Sequence, residues 1–157
     1  MVHIRKARLE DCRSIADVHV DAVNGIRTTL YTGEEIQAWA VPKKPEHYEE
    51  KIRTKEFLIA EEDGDMVGFG VLDQTSAEIE ALYVSPKAGR RGIGLELLRK
   101  LEERACDLGL LVLRLNASLN AVPFYEKAGF VGHERSMYRL TTGVEIPCVP
   151  MSKKIML

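Results

Sequence analysis

The sequence predicts an α/β fold in which a mixed, mostly antiparallel central sheet is flanked by helices. Two observations support this prediction. The hydrophobic period is helical over the first third of the 157-residue chain and becomes strand-like after about residue 56. One strongly amphipathic helix also stands between two apolar strand-like segments, which is typical of a right-handed β-α-β crossover. The predicted element order is β-α-α-α-β-β-β-α-β-α-β-β.

The first third of the chain predicts one short strand and three helices. Residues 2–7 alternate in hydrophobicity, and a helix then begins at Leu9 and reaches Gly25. A second helix begins at Thr32-Gly33-Glu34-Glu35 and is interrupted by Pro42 and Pro45. A third covers residues 46–53.

The rest of the chain predicts six strands and two helices. Residues 57–62 and 66–73 form a hairpin around Asp63-Gly64-Asp65, and another strand covers residues 78–84. The central helix carries an apolar stripe and ends at Gly109. The stripe consists of Gly94, Leu97, Leu98, Leu101, Ala105 and Leu108.

After Gly109, residues 110–115 are nearly all apolar, which predicts a strand covered on both faces. A short helix over residues 121–128 and final strands over residues 130–138 and 144–153 complete the chain.

Length, charge and composition exclude several classes of protein. A chain of 157 residues predicts a single domain over residues 1–157. With 22 basic and 24 acidic side chains, the formal net charge of −2 gives no basic excess for a nucleic-acid binder. No segment approaches the roughly 20 apolar residues of a membrane span. Three scattered cysteines and four histidines predict neither a disulfide framework nor a metal site. We therefore expect a cytoplasmic protein.

A glycine-rich basic turn joins the strand at residues 78–84 to the central helix. Its sequence is Ser85-Pro86-Lys87-Ala88-Gly89-Arg90-Arg91-Gly92-Ile93-Gly94. Glycines allow backbone N–H groups to approach a phosphate, and the positive end of the helix dipole favours its charge. The turn has neither the Lys-Ser/Thr ending of a P-loop nor the third small residue of a dinucleotide fingerprint, since Leu97 occupies that position.

The turn resembles the acetyl-CoA pyrophosphate loop of the GNAT superfamily of N-acetyltransferases, whose pattern is Gln/Arg-x-x-Gly-x-Gly/Ala. Gly89 departs from the first position of that pattern. A second segment, from Leu115 to Phe130 and ending in Phe124-Tyr125-Glu126-Lys127-Ala128-Gly129-Phe130, resembles the second cofactor-binding motif of the family. The two motifs are separated by one helix and one strand, as in the family.

The resemblance implies a GNAT-like fold, acetyl-CoA as cosubstrate and an amine acceptor, either a small molecule or a peptide. It also implies cofactor contacts over both motifs, with the amides of residues 91–94 on the pyrophosphate and those of Tyr83 or Val84 on the thioester carbonyl. The implied cofactor-binding residues are Leu82, Tyr83, Val84, Gly89, Arg90, Arg91, Gly92, Ile93, Gly94, Asn116, Ser118, Asn120, Phe124, Tyr125 and Lys127.

Transfer of an acetyl group to an amine needs a base for the amine and an acid for the leaving thiolate. Glu78 and Glu80 stand two residues apart, and strand alternation places them on the face of Leu82 and Val84. Family members with a glutamate base often carry it on this strand, so either residue is a candidate. Tyr125 is the candidate acid.

The acceptor pocket of the family is formed by the N-terminal helices and the last strands, which makes His19, Tyr31, Trp39 and Tyr138 candidates to line it. No base stands beside a cysteine in the sequence, so we expect direct transfer rather than a thiol intermediate. Two other functions are compatible with the fold: a non-catalytic acyl-CoA sensor, and a structural module. The final strands of this fold often support homodimers.

Overall fold

A computed structural model describes residues 1–88 and 91–155 of the chain. Within them the helices and strands follow the predicted order, except that three strands rather than two follow the last helix. The helices are α1 (Cys12–Asn24), α2 (Gly33–Trp39), α3 (Pro45–Thr54), α4 (Ile93–Asp107) and α5 (Val122–Lys127). The strands are β1 (Val2–Lys6), β2 (Glu56–Glu62), β3 (Asp65–Asp73), β4 (Glu78–Val84), β5 (Val112–Ser118), β6 (Val131–Gly132), β7 (Ser136–Arg139) and β8 (Glu145–Lys154).

These strands form one mixed sheet in the order β1-β2-β3-β4-β5-β8-β6, and β7 also pairs with β8. Every neighbouring pair is antiparallel except β4 and β5, which are joined through α4. The predicted hairpin turn between β2 and β3 is confirmed, because Asp63 and Gly64 both have positive φ, as a two-residue turn of this kind requires.

Two apolar layers cover the two faces of the sheet. On one face α4 and α5 pack against β2 to β5, and Leu97, Leu98 and Leu101 are fully buried there. This approach is close: a Cβ at Gly70 of β3 would lie 2.8 Å from Leu101 Cδ1. On the other face α1 and α3 cover only β2 to β4. On the β5–β8 half of that face, α2 packs in a third apolar cluster with Ile146 of β8, while Arg114 and Asn116 of β5 stay exposed.

Three predictions about individual elements are wrong. β5 begins at Val112 rather than at residue 110 and continues to Ser118, because its ladder with β8 runs from Val112 to Ser118. It alternates between buried and exposed residues, so it is covered on one face only. The predicted strand over residues 130–138 is divided into β6 and β7, which pair with different parts of β8.

The third wrong prediction concerns the stripe of α4. Leu108 is 43% exposed. Glu102 is buried instead, and its carboxylate pairs with Arg99 and Lys153, each at 2.8 Å. Ion pairing allows a charged residue inside the stripe.

The contrast between two leucines of α4 tests this packing. Truncating Leu101 to Ala leaves a cavity under β3 and should lower the free energy of unfolding by about 2–5 kcal/mol. Truncating the exposed Leu108 to Ala should change it by no more than about 0.5 kcal/mol. Urea denaturation of the two variants measures the difference. Equal losses would mean that the stripe is wrongly placed.

Candidate functional site

The separation of β4 from β5 creates the site. The two strands pair only at Glu78–Arg114 and Ile79–Leu115 and have no further pairing beyond these residues. Ser85 N donates to Val67 O, which makes these two residues a hydrogen-bonded pair of the β3–β4 ladder. Such pairs occur at every second residue of an antiparallel ladder, so Tyr83 forms the next one with Phe69. The N–H groups of Leu82 and Val84 therefore point into the gap. The N–H of Tyr83 points to β3, so the predicted role of its amide is not supported.

The glycine turn lies at the wide end of the gap. Gly92 precedes α4 with φ of +78°, and the cap residue offers no side-chain hydrogen bond. The N–H groups of Ile93, Gly94 and Leu95 therefore have no acceptor within the helix. A Cβ at Gly94 would lie 3.6 Å from both Phe124 and Val84, so the end of β4, the start of α4 and the start of α5 meet here. This arrangement fits a pyrophosphate and the narrow chain attached to it.

The basic side chains of the turn have partly different roles from those predicted. Arg91 forms a two-pronged ion pair with Glu62 of β2 and donates from Nε to the Ala88 carbonyl at 2.6 Å. Its guanidinium thus links the turn to the β2–β3 hairpin, while the side chain remains about half exposed. Gly89 and Arg90 lie outside the described residues.

A cavity of about 180 Å³ adjoins the gap. Both candidate bases, the candidate acid Tyr125 and all four predicted acceptor-pocket residues line it, although they come from α1, α2, β4, α5, β7 and the loop before α2. Of the predicted cofactor residues, Leu82, Tyr83, Asn116 and Ser118 also line it. Asn120 and Lys127 are exposed and do not line this cavity.

Hydrogen bonds fix the aromatic wall of the cavity. The Tyr31 hydroxyl donates to Pro147 O at 2.8 Å and accepts from Leu119 N at 2.9 Å. Trp39 Nε1 donates to the Tyr83 hydroxyl at 2.9 Å. The Tyr31 hydroxyl is thus hydrogen-bonded to the backbone on both sides, and only the ring of Tyr31 is left to line the cavity.

His19 lies on the same wall. Its Nε2 is 2.8 Å from the carbonyl oxygen of Trp39. Burial lowers the pKa of His19, and the nearby Lys43 lowers it further. A neutral imidazole that donates from Nε2 is consistent with this environment.

A β-bulge separates the two candidate bases from the face predicted for them. Val71 pairs with Ala81 and Leu72 with Ile79, which leaves Glu80 as an extra residue in β4. Beyond the bulge, Leu82 and Val84 pack on the α4 layer, whereas Ala81 and Tyr83 pack on the α1 and α3 layer. Strand alternation alone cannot reveal this change.

Glu80 lies on the face of the sheet that α3 covers, and its carboxylate forms ion pairs with two lysines. Its Oε1 pairs with Lys51 at 2.6 Å and its Oε2 with Lys55 at 2.8 Å. Burial by itself raises the pKa of Glu80, but the hydrogen bonds from the two lysines bring it below the ordinary value. Both oxygens are therefore engaged, and Glu80 is a weak base.

Glu78 has the opposite environment. Among residues 1–88 and 91–155 it forms no ion pair, and burial together with the charges of Glu80 and Asp73 raises its pKa. A carboxylate with a raised pKa accepts a proton more readily than an ordinary one. Of the two candidates that the sequence left open, Glu78 is therefore better suited to act as a base.

Tyr125 lies on the opposite side of the cavity from α3. Its ring packs edge-on against Phe124 and Phe130, and burial raises the pKa of its hydroxyl. Its hydroxyl makes no hydrogen bond to any other residue that the structure describes. The phenol is therefore protonated and free to donate a hydrogen bond or a proton, although the raised pKa makes it a weaker acid than an ordinary tyrosine.

Other kinds of site find no support in the described ranges. They contain no cluster of three metal-ligating side chains and no helix long and apolar enough to cross a membrane. Cys12, Cys106 and Cys148 are free thiols. Cys148 lines the cavity, but burial raises its pKa, which disfavours a nucleophilic thiolate.

Comparison with known proteins identifies relatives over most of the chain. Residues 28–155 match a family model described as an acetyltransferase (GNAT) domain. The uncharacterized N-acetyltransferase YafP of Escherichia coli is 27% identical over 129 residues, which is 82% of this chain and 81% of YafP.

Two solved structures cover nearly the whole fold. A GCN5-related N-acetyltransferase from Rhodopseudomonas palustris is 29% identical with a TM-score of 0.90, and the match covers 97% of this chain and 94% of that one. PaiA N-acetyltransferase from Thermoplasma acidophilum, solved in complex with coenzyme A, is 26% identical with a TM-score of 0.78, and the match covers 98% and 99% of the two chains.

The opposite environments of the two glutamates predict opposite effects on stability. Folding raises the pKa of Glu78, so its charge costs stability as the pH rises above the ordinary value of 4.5. Glu78→Gln should therefore raise the Tm at pH 7 and lose this advantage below about pH 4.

Folding lowers the pKa of Glu80, so its contribution is present above pH 4.5 and is lost as the pH falls through the lowered value. Glu80→Gln should lower the Tm at pH 7. Thermal unfolding of both variants between about pH 3 and pH 8 tests the pair. Shifts of the same sign at pH 7 would contradict the assignment.

Proposed function

Because this chain belongs to the GNAT acetyltransferase family, we propose that it transfers the acetyl group of acetyl-CoA directly to a primary amine. The observation that carries the proposal is the cavity in which Glu78 and Tyr125 meet the gap between β4 and β5. Acetyl-CoA supplies an activated thioester, and this chain supplies the groups that hold it and move protons.

The glycine turn and the open strand edge are proposed to bind the cosubstrate. The free amides at the start of α4 suit a pyrophosphate, because they combine hydrogen-bond donors with the positive end of the helix dipole. The N–H groups of Leu82 and Val84 suit the pantetheine arm and the thioester oxygen. Donors fixed in a strand stabilise negative charge on such an oxygen without reorganising.

The protons are proposed to move between Glu78, the amine and Tyr125. An alkyl ammonium has to lose a proton before it can attack, and Glu78 accepts that proton directly or through a water molecule. As the C–S bond breaks, the Tyr125 hydroxyl gives a proton to the departing sulfur, and the second proton that the nitrogen loses on forming the amide restores the phenol. Its raised pKa makes it a weak acid, so its position has to compensate for that weakness.

A non-catalytic acyl-CoA sensor on the same fold is not favoured, because the relatives described above are N-acetyltransferases. Such a sensor would need neither Glu78 nor Tyr125. Tight acetyl-CoA binding without thiol release on a broad panel of amines would favour the sensor.

Binding of the cosubstrate should stabilise the fold. At 100 times its Kd, acetyl-CoA should add about 2.7 kcal/mol, which corresponds to a rise in Tm of about 5–10 °C for a domain of this size. NAD at the same concentration should give no shift. Differential scanning fluorimetry measures both, and no shift at any acetyl-CoA concentration would contradict the proposed site.

Two glycines provide a matched pair for this experiment. Gly92 and Gly109 lie at opposite ends of α4, each has φ of +78°, and a Cβ at either would meet nothing within 4 Å. Replacing either by Ala should cost about 1–2 kcal/mol of backbone strain. Only Gly92→Ala should also weaken the acetyl-CoA shift, since only Gly92 orients the amides of the turn.

Removal of the two proton-transfer groups should slow turnover without preventing cosubstrate binding. Glu78→Gln and Tyr125→Phe should each lower kcat by about 10²–10⁴-fold and leave the acetyl-CoA Kd nearly unchanged. Glu80→Gln serves as the neighbouring control, with an expected loss below about tenfold. Thiol release from acetyl-CoA on an amine panel is the assay. A Glu78→Gln variant with wild-type kcat would refute Glu78 as the base.

A further inference from the structure

The charges around the cavity do not all have partners among the residues that the structure describes. Glu80 pairs with Lys51 and Lys55, and Lys55 also pairs with Asp73 at 3.1 Å. Both acids, Glu80 and Asp73, and both lysines therefore have ion-pair partners. Three charged residues of the cavity lining form no ion pair within the described ranges: Glu78, the half-buried Lys43 and the exposed Arg139.

Lys43 is held in place next to this network. Its backbone N–H donates to the Tyr48 hydroxyl at 3.3 Å. Its half-buried side chain lines the main cavity and an adjoining pocket of about 100 Å³, and Glu78 lines both as well. Lys43 is close enough to His19 for its charge to lower the pKa of that imidazole. Its ammonium has no hydrogen-bond partner among the residues that the structure describes.

An unpaired ammonium at this position is costly. Burial, with the neighbouring charge of Lys51, lowers the pKa of Lys43. An anion from outside the chain would relieve that cost. The Tyr83 hydroxyl, which accepts a hydrogen bond from Trp39, still has its own proton to donate on the same wall. A cation and a hydroxyl donor together suit a carboxylate.

We propose that the acceptor is an amino acid or a close relative that carries a carboxylate near its amine, and that Lys43 receives this carboxylate while Glu78 faces the amine. This inference rests on the proposed function and identifies the chemical class of its acceptor. Glu78 and Lys43, which line both pockets together, complement the two charges of a zwitterion.

The single tryptophan of the chain makes the inference measurable without turnover. Trp39 lines the cavity, so its fluorescence reports occupancy directly. Suitable probes are L-lysine with cadaverine, L-phenylalanine with 2-phenylethylamine, and L-methionine with 3-(methylthio)propylamine. The amide of each amino acid, which keeps the amine and loses the charge of the carboxylate, completes each set.

We expect at least one amino acid to bind at least about tenfold more tightly than its decarboxylated amine and its amide. Lys43→Met should abolish this preference, and Lys43→Arg should retain most of it. Lys44→Met is the control, because Lys44 is the exposed neighbour and lines neither cavity. Binding of no probe, equal binding within every set, or a preference that survives Lys43→Met would overturn the inference.

Acetyl transfer measured with the same probes separates this inference from the proposed function. Transfer to amines without any preference for the carboxylate would leave the proposed function intact and reject the role of Lys43. A preference in binding that depends on Lys43, without thiol release on any amine, would support the subsite and reject the transferase mechanism.

Discussion

The short pairing between β4 and β5 is the constraint on which the site depends. Buried backbone N–H groups need acceptors, and the sheet supplies them everywhere along β4 except beyond Ile79 on its β5 side. The N–H groups of Leu82 and Val84 are left facing an open gap in the middle of the sheet. The parallel connection through α4 places the start of that helix at the wide end of the gap. Both sets of unsatisfied donors therefore face one groove.

The bulge at Glu80 determines which side chains of β4 face α4 and which face α3. It allows Leu82 and Val84 to remain in the core under α4 while both glutamates face α3. On that side Lys51 and Lys55 neutralise Glu80, whereas Glu78 has no ion-pair partner in the part of the chain that the structure describes. Two carboxylates separated by one residue thus have pKa values displaced in opposite directions. Opposite pKa shifts of this kind often distinguish a catalytic group from a structural one.

The N-terminal segments close the groove and fix its shape. The Tyr31 hydroxyl links the loop before α2 to the backbone at Leu119 and Pro147, and Trp39 bonds to Tyr83. Without these segments the face above β5 would lie open, because α1 and α3 cover only β2 to β4. The same closure brings Lys43 to the cavity, where its charge has no partner in the described chain. The wall that completes the site thus also carries the residue that we propose to receive the carboxylate of the acceptor.

The sequence by itself determined the fold class, the element order and the two cofactor motifs, because these depend on local periodicity, turn residues and spacing. It also identified the aromatic residues that meet in the cavity, although only through family resemblance. Tertiary structure decided the rest. The bulge, the division of the last strands and the exposure of Leu108 depend on pairing and packing between distant segments. The choice between Glu78 and Glu80 depends on lysines that lie 29 and 25 residues before Glu80 in the sequence. The proposed role of Lys43 depends on its having no ion-pair partner among the described residues, which only the three-dimensional arrangement can reveal.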